Sequence, residues 1–502
     1  MVVERFQVSD LEGRRRDAAR YGPPLEQSAA LRAFAPFQTV CLAGIIVALA
    51  LALRFFPYRL ADGLIALAAL AFLTVAIWRV VLILLSAASP PTAPVPVVWP
   101  RYTVLAALHD EADIVSQLVE RLSRIDYPSD RLQGFLVLEA HDHVTIAAAL
   151  AAPRPDWLKV LVTPPGKPQT KPRALNFALT HAAGDLLTVY DAEDAPDPAQ
   201  LREAASRFAQ DRSGRLACLQ APLRIRPPVS DKTRFIDRQF AAEYASLFET
   251  ILPGMARLRL PFPLGGTSNH FRVDVLRAVG GWDAWNVTED ADLGFRLWSR
   301  GWTLGVLACP TWETPPGGLA HWLPQRTRWL KGYLLTWGVH TRKPWRLGWR
   351  GALALVMTLG TGLVSAAIHG LTLAWVSAAV LVSAIAGLPP ETPVLALCVL
   401  VLGTAAAWLS CAIGARRAGA PYDASDMIKA PAYWSLLSLA FVHAAWRLAL
   451  DPFAWDKTPH QRDATPDTES AGDAACKDND MLDATAPLRL SGGHAAAPQS
   501  VA

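Results

Sequence analysis

Apolar residues in this chain are gathered into long runs on either side of a more polar central region. Phe37 to Arg54 and Gly63 to Ala87 precede that region, and Ala352 to Leu388, Pro393 to Ile413 and Ala430 to Leu450 follow it. A helix needs about 20 apolar residues to cross a bilayer, and these runs are near that length or longer. We therefore expect an integral membrane protein with a central domain outside the bilayer.

The first run after the central region is long enough for two short helices broken near His369 and Gly370, which gives about six spans, two before and four after. Basic residues before the first span and from Arg342 to Arg350 then lie on one side, as the positive-inside rule requires, so the central domain is predicted to be cytoplasmic. The stretch GARRAGA, Gly414 to Ala420, would lie on the opposite side. One later span is therefore expected to be interfacial or miscounted.

Composition agrees with this layout, because 52% of the 502 residues are hydrophobic and only 18% are charged. The net charge of +4 is too small to indicate nucleic-acid binding. The predicted segments are a cytoplasmic N-terminal segment (1–35), a transmembrane hairpin (36–88), a soluble domain (89–347) with an interfacial helix near 320–335, and further transmembrane helices (348–451). A short segment (452–460) and a tail without periodicity (461–502), predicted to be disordered, complete the chain.

The central domain alternates short apolar runs with helical patterns, such as RYTVLAAL, DIVSQLVERLSRI, GFLVLEA and LKVLVTP. Strands that alternate with helices predict an α/β fold with a largely parallel sheet covered on both faces. Ligands then bind beyond the carboxyl ends of the strands.

An acidic cluster follows one of these predicted strands. In YDAED, Asp191, Glu193 and Asp194 stand directly after the run Leu186 to Tyr190. Such a cluster is costly unless a cation is held, and hard oxygen ligands suit Mg²⁺ or Mn²⁺ bound together with a diphosphate. The alternative is a solvated turn that leads into Pro196.

Two further motifs follow in order. Thr288, Glu289 and Asp290 come directly before a helical pattern, where the plain interpretation is a helix start capped by Thr288. Q-x-x-R-W then occurs in QRTRW, just ahead of an apolar run. Its plain interpretation is an amphipathic helix anchored by Trp322, Trp329 and Lys331.

Taken together, these motifs resemble those of processive family 2 glycosyltransferases, similar to bacterial cellulose synthase catalytic subunits and related polysaccharide synthases, over about residues 35–460. The resemblance is carried by YDAED, TED, QRTRW, the stretches KPRALNFAL (Lys171 to Leu179) and PLGGTSNHFR (Pro263 to Arg272), and the spans on both sides of the domain. It implies a Rossmann-like GT-A domain at the bacterial inner membrane. Such an enzyme polymerises sugar from a nucleotide sugar, most commonly UDP-glucose, into an exopolysaccharide and exports it through its own spans.

The resemblance also assigns roles to individual residues. Asp290 matches the general base, beside Glu289 and Thr288, and Asp191 matches the metal site, with Glu193 or Asp194 as the second ligand for Mg²⁺ or Mn²⁺. The donor nucleotide and diphosphate are assigned to Glu139, Asp142, Lys171, Arg173, Asn176, Asp191 and Arg328. The acceptor is assigned to Gln325, Trp329, Gly265, Gly266 and Thr267, and a gating role in segment 452–460 to Trp455, Lys457 and Thr458.

Two other functions remain open at this stage. One is a non-processive transferase that moves a single sugar onto a lipid carrier, and the other is a membrane scaffold or receptor that has lost activity. Acids at the metal and base positions, together with the arginine and tryptophan, argue against the second. The expected partners are a nucleotide-sugar donor, a growing polysaccharide, the lipid bilayer and periplasmic or regulatory subunits, with no nucleic acid.

Overall fold

The computed structural model describes residues 22–31, 35–87, 96, 98–228, 230–387 and 394–454. The predicted tail (461–502) and the predicted gating residues Trp455, Lys457 and Thr458 lie outside this part of the chain.

A seven-stranded sheet forms the centre of the domain, in the order β3-β2-β1-β4-β8-β6-β9. Its strands are β1 (Tyr102–Leu108), β2 (Leu132–Glu139), β3 (Leu158–Thr163), β4 (Leu186–Tyr190), β6 (Leu216–Gln220), β8 (Asn269–Arg272) and β9 (Thr303–Val306). The first four strands pair in parallel, as predicted. The sheet is largely parallel, because β6 and β9 also pair in parallel, but β8 runs antiparallel to both β4 and β6 and makes it a mixed sheet.

A second, three-stranded sheet has the order β5-β10-β7. Its strands are β5 (Ala195–Pro196), β7 (Leu223–Ile225) and β10 (Thr311–Glu313). Because β5 follows the acidic cluster almost directly, this small sheet lies beside the carboxyl end of β4.

Fifteen α-helices cover the sheets and extend from them in the described part of the chain. They are α1 (Pro36–Phe55), α2 (Pro57–Leu85), α3 (Val115–Ser123), α4 (His143–Ala151), α5 (Lys171–Leu179), α6 (Gln200–Gln210), α7 (Arg234–Ser246), α8 (Leu252–Arg257), α9 (Val273–Ala278), α10 (Glu289–Ser299), α11 (Leu319–His340), α12 (Gly348–Leu355), α13 (Thr361–Ala386), α14 (Val394–Ala418) and α15 (Ala424–Leu450).

Two apolar cores enclose the central sheet, one on each face. Amphipathic helices supply much of the packing: α3, for example, buries Val115, Leu118, Val119 and Leu122 at a helical spacing.

Two helical stretches in the described residues are long and apolar enough to cross a membrane, Pro36–Phe55 and Pro344–Ala386. The predicted break near His369 and Gly370 is wrong, because α13 runs through both residues. Gly370 instead allows close packing on α15: its N–H donates to Ser438 Oγ at 2.9 Å. The later apolar region therefore forms three long helices, α13, α14 and α15, and the predicted count of four is wrong.

Both ends of α15 contact the central domain. At its start, Arg238 of α7 pairs with Asp426 and donates to it at 3.0 Å. Just after its end, the fully buried Lys331 of α11 donates to the carbonyl of Ala454 at 2.8 Å. Along its length, Tyr433 accepts from Trp322 of α11 at 2.9 Å. The predicted last span therefore packs on α11 as well as on α13.

The basic stretch GARRAGA also lies against the domain. A side chain on Gly414 would come within 2.4 Å of the carbonyl of Ala245 in α7. Arg417 donates to Ser86 at 2.8 Å and to the carbonyl of Glu249 at 2.6 Å. Arg417 and the stretch around it thus pack against the central domain.

The long apolar helices associate as two pairs, α2 with α14 and α13 with α15, and α13 and α14 scarcely touch within their described residues.

An N-terminal segment, residues 22–31, docks on the domain beside the loop that precedes α10. Ser28 and the N–H of Ala29 donate to the buried carboxylate of Asp283, at 2.9 and 2.7 Å. Arg342, at the end of α11, donates to the carbonyl of Ser28 at 2.8 Å. The segment therefore ties the loop before α10 to the end of α11.

Candidate active site

The acidic turn after β4 divides its carboxylates between the interior and the cleft. Asp194 is fully buried, accepts from the N–H of Asp191 at 2.7 Å and from the hydroxyl of Thr267, and thus shapes the turn. Burial raises the pKa of Asp194 well above its usual range, and the nearby charges of Asp191 and Glu193 raise it further. Asp191 and Glu193 are half-buried, although one carboxyl oxygen of Glu193, Oε2, is enclosed.

This donor set fits a metal held partly by substrate. Within the described residues, no group of three or more His, Cys, Asp or Glu side chains could hold an ion alone. Mg²⁺ commonly binds one or two carboxylates and completes its shell with water and phosphate oxygens. Asp191 and Glu193 supply that number of carboxylates.

Lys171 joins the acidic turn to the rest of the site. It is the first residue of α5, and its ammonium donates to Asp191 and to the carbonyl of Gly266, the latter at 2.8 Å. Burial alone would lower the pKa of Lys171, but the charges of Asp191 and Glu289 outweigh burial and raise it. Lys171 is therefore a permanent cation at the centre of the site.

The predicted base lies at the start of α10, across from Lys171. Asp290 Oδ2 is 3.4 Å from the point where a β-carbon on Gly266 would stand, and the Lys171 nitrogen is 3.9 Å from that point. Burial raises the pKa of Asp290 to about 6. Glu289 is only 4% exposed, and burial followed by the charge of Asp290 raises its pKa to about 8.

The start of α10 differs from the plain interpretation of a capped helix. Thr288 occupies the N-cap position, but its side chain makes no capping hydrogen bond. Its hydroxyl turns toward Asn286 at 3.4 Å. The turn is held instead by packing from α11, because a β-carbon on Gly332 would lie 2.4 Å from the hydroxyl of Thr288. Glycine at 332 thus lets α11 press directly on the turn that carries the base.

The Q-x-x-R-W residues lie on neighbouring positions of α11, since residues three and four apart share a helix face. Arg328 donates to the carbonyl of Val287 at 3.4 Å, and its charge lowers the pKa of both Glu289 and Asp290 against the effect of burial. Gln325 Oε1 is enclosed and accepts no hydrogen bond from a described residue. The structure therefore brings the Arg328 end of the motif to the base.

Trp329 is half-buried in an aromatic cluster with α7. Its ring lies 6.2 Å from Phe240 and 6.0 Å from Tyr244, and the Arg326 guanidinium stacks 4.5 Å from it. Arg326 is fixed in turn by a bidentate pair with Glu243, at 2.9 and 2.6 Å. The tryptophan is thereby held rigidly beside the cleft.

The alternative of a membrane anchor on this stretch is not supported for two of its three residues. Trp322 and Lys331 are both 0% exposed, and both contact α15 or the residues that follow it. They join helices within the protein and do not face lipid.

Other predicted site residues are structural. The side-chain amide of Asn176 donates to the carbonyl of Trp282 and accepts from its N–H, at 2.7 and 2.9 Å, which fixes the turn before Asp283. Gly265 donates to Gln220 at 2.8 Å and lies against Phe248, away from the cleft. Among Gly265, Gly266 and Thr267, only Gly266 therefore borders Lys171 and Asp290.

The carboxyl ends of β1 and β2 form the other edge of the cleft. Glu139 is only 7% exposed, and Arg173 donates two hydrogen bonds to it, at 2.8 and 2.6 Å. Asp142 caps α4, accepting from Thr145 N at 3.1 Å, and also accepts from the N–H of Asp110 at 2.5 Å. These predicted donor residues are brought together, although Glu139 and Arg173 satisfy one another.

Sequence analysis missed two groups at this site. His109, Asp110 and Glu111 follow β1, with Asp110 in a left-handed conformation at φ 54°, and acids directly after a predicted strand were the available signal. Glu313 at the end of β10 is the second, and no signal marked it because a three-residue strand has no readable periodicity.

The chain beyond α15 passes close to the base. The ring of Phe453 packs edge-on against Trp285 at 5.0 Å, and Lys331 holds Ala454. The described chain thus ends above the loop that precedes Thr288.

Comparisons with known proteins bear on these features. A sequence model of the family described as "Glycosyl transferase family group 2" matches residues 186–411, from β4 into α14. A beta-monoglucosyldiacylglycerol synthase from Synechocystis sp. is 29% identical over 271 residues, which make up 51% of this chain and 53% of that protein. The cellulose synthase 1 catalytic subunit (UDP-forming) of Komagataeibacter xylinus is 24% identical over 245 residues, 47% of this chain and 31% of that protein.

The chain thus spans about half the length, or less, of these curated relatives. Among solved structures, a mannosyltransferase from Pyrobaculum calidifontis in complex with GDP-Man and Mn²⁺ aligns with a TM-score of 0.50 and 16% identity. The alignment covers 77% of this chain and 98% of that one. This likeness confirms the predicted GT-A fold.

Proposed function

We propose that this chain, whose residues 186–411 match the model of glycosyl transferase family group 2, transfers a sugar from a nucleotide-sugar donor to a hydroxyl acceptor at a membrane, with inversion at the anomeric carbon. One observation carries the proposal: Lys171, Asp191 and Asp290 converge around Gly266. A cation for a diphosphate, an acid for a metal and a base for a hydroxyl therefore stand side by side.

In the proposed reaction, Asp290 removes the proton of the acceptor hydroxyl as its oxygen attacks the anomeric carbon and the nucleoside diphosphate leaves. A base with a pKa of about 6 is suited to this role, since it is mostly ionised near neutral pH. Lys171 and Arg328 orient the diphosphate and balance its growing charge.

Asp191 and Glu193 are the residues that would hold Mg²⁺ or Mn²⁺ beside the diphosphate. When bound, the metal would neutralise charge on the leaving group. Glu139 and Arg173, at the edge formed by β1 and β2, would then lie on the nucleoside side of the donor.

The acceptor class best supported is a hydroxyl of a membrane lipid or glycolipid. Helix α11, which carries Arg328 and Trp329, packs on α15, and the apolar helices associate as two pairs with few contacts between α13 and α14. We propose that a lipid enters between these pairs. The Synechocystis relative, by its name, makes a glucosyldiacylglycerol.

A second candidate is the end of a growing polysaccharide, exported across the inner membrane. It is favoured by Trp329, whose ring is held rigidly beside the cleft, and by the similarity to a cellulose synthase subunit. Two pairs of apolar helices offer fewer walls for an export channel than the six spans expected from the sequence, so we rank it second.

The test is a transfer assay with the purified full chain in lipid nanodiscs. UDP-glucose, UDP-galactose, UDP-N-acetylglucosamine and GDP-mannose would each be supplied with Mg²⁺ or Mn²⁺, and with either dioleoylglycerol or a cello-oligosaccharide as acceptor. One glycolipid product supports the lipid acceptor, whereas a size ladder of saccharides supports the polymer. The Asp290→Asn variant should bind nucleotide and form no product. Lack of transfer from every donor, or full transfer by Asp290→Asn, would contradict the proposed function.

A further inference from the structure

Glu313 is a buried acid of the domain whose carboxyl group accepts no hydrogen bond from a described residue. Only 9% of its surface is exposed, yet its carboxyl oxygens are not among the fully enclosed polar atoms of the described residues. A buried carboxyl group without a hydrogen-bond partner is costly, so native structures rarely keep one without a use.

The strand register places Glu313 beside the acidic turn. On β10, Thr311 and Trp312 pair with Pro196 and Ala195 of β5, so Glu313 comes level with the residue before Ala195, which is Asp194. Side chains two apart on a strand share a face. Thr311 accepts from the hydroxyl of Ser268 at 2.6 Å, so Glu313 projects from the same face, next to the loop that contains Gly266.

Electrostatics agree with that position. Burial raises the pKa of Glu313 well above its usual range, and the charges of Asp194, Glu193 and Asp191 raise it further while Lys171 opposes them. Glu313 also raises the pKa of Tyr244, whose ring lies 6.0 Å from that of Trp329. Glu313 therefore stands between the acids of the donor site and the aromatic cluster on α7 and α11.

We propose that Glu313 hydrogen-bonds a hydroxyl of the acceptor and makes the site selective for uncharged acceptors, such as a diacylglycerol or a terminal sugar, over lipid phosphates. A hydroxyl supplies the missing partner for the carboxyl group. A phosphate in the same place would add negative charge beside the acids whose charges already raise the pKa of Glu313, and it would be disfavoured there. This assignment rests on the proposed transferase function and restricts the class of acceptors that the site would use.

The experiment compares the wild-type chain with Glu313→Gln in nanodiscs. The donor is the nucleotide sugar that proves active in the transfer assay described above. Acceptors are dioleoylglycerol, a cello-oligosaccharide and undecaprenyl phosphate, and three quantities are measured: the acceptor KM, kcat and the rate of donor hydrolysis by water. Loss of a hydrogen bond to an ionisable group should raise the KM of the neutral acceptor about tenfold. Donor hydrolysis should stay within about twofold, because water does not need that contact.

Glu249→Gln is the matched control. Glu249 is similarly enclosed but pairs with Arg224 at 2.8 Å, so its loss should leave the acceptor KM unchanged. If Glu313→Gln does not fold, Glu313→Asp shortens the same side chain and should give the same increase in KM.

Three results would overturn the assignment while the transferase function stands. They are an unchanged acceptor KM in Glu313→Gln, an equal fall in transfer and hydrolysis, and preferred use of undecaprenyl phosphate by the wild type. A wild-type chain inactive with every acceptor and donor would instead overturn the proposed function, and this assignment with it.

Discussion

Lys171 stands between two groups of acids that need its charge for different reasons. On one side it pairs with Asp191 of the acidic turn, and on the other it lowers the pKa of Glu289 and Asp290 at the start of α10. A diphosphate that approached Lys171 would compete with Asp191 for the ammonium. We infer that donor binding frees Asp191 for a metal, which links the two events.

The ionisation of Asp290 predicts an acid limb in the pH profile. Burial raises its pKa to about 6, while Lys171 and Arg328 oppose the shift and Glu289 shares the site. The base must be deprotonated, so kcat/KM should fall as pH drops below about 6, by about tenfold per pH unit. Initial rates between pH 4.5 and 8 would measure this. A profile that stays flat down to pH 5 would show that Asp290 is not the base.

We expect the activity to depend on a divalent metal ion that Asp191 helps to bind. We expect wild-type activity to be lost in excess EDTA and restored by Mg²⁺ or Mn²⁺, because hard carboxylates beside a diphosphate suit these ions. In Asp191→Ala, the concentration of metal needed for half-maximal activity should rise strongly. A metal titration of both proteins checks this, and full activity in the chelator would refute it.

Arg328 and Trp329 are adjacent, but replacing each of them with alanine should affect transfer and donor hydrolysis differently. Arg328 acts near the leaving diphosphate, so Arg328→Ala should lower both transfer and donor hydrolysis. Trp329 lies toward the acceptor, and misplacing a reacting hydroxyl by about an ångström can lower its rate about a hundredfold. Trp329→Ala should therefore lose transfer and retain some hydrolysis. Equal transfer by Trp329→Ala and wild type would remove Trp329 from the acceptor site.

At the scale of elements, the contact of α11 with the start of α10 is the tightest one that bears on catalysis. The start of α10 has no side-chain cap, and α11 can pack this closely on it because Gly332 has no side chain. The stretch HWLPQRTRWLKG thus ends on a glycine for a steric reason, and its charged residues serve the site and the neighbouring helices.

A methyl group at position 332 should therefore displace the turn that carries the base. Gly332→Ala places a carbon 2.4 Å from the hydroxyl of Thr288, and such overpacking costs about 1–3 kcal/mol. We expect a lower free energy of unfolding and a larger fall in kcat. Gly338→Ala on the same helix is the control, because nothing lies within 4 Å of its new carbon. Equal activity of the two variants would contradict the contact.

The elements that sequence could predict are those with strong periodicity. Strands β1 to β4 lie where the alternation of strands and helices implied, and the acidic turn follows β4 as predicted. The small sheet β5-β10-β7 escaped prediction because strands of two or three residues carry no pattern, and Glu313 escaped with it.

Hydropathy alone does not reveal how α15 packs. Its exposed apolar residues, such as Ile428 and Val442, give it the composition of a span, and Tyr433 and Asp426 also bind the domain. The hydropathy pattern carries no sign of these contacts, because their partners are distant in sequence. Gly370 was taken for a helix break because its packing partner, Ser438, is distant in sequence.

For the whole molecule, the helix arrangement predicts a definite sidedness. If α13 and α14 cross the membrane, the end of α13 lies opposite the catalytic domain and the start of α15 lies beside it. In a chain without native cysteines, Ala386→Cys should react with an impermeant maleimide added to spheroplasts. Ala424→Cys should react only after permeabilisation. Labelling of Ala424→Cys from outside would contradict this sidedness.

The docking of residues 22–31 also has a consequence for synthesis. Ser28 and Asp283 are 255 residues apart, and Arg342 lies 314 residues beyond Ser28. At about 5–20 residues per second, the ribosome needs roughly 15–60 s to supply both partners after the segment emerges. Until then the loop before the base lacks its support from the N-terminal segment. The N-terminal segment can therefore dock only after most of the central domain has been synthesised.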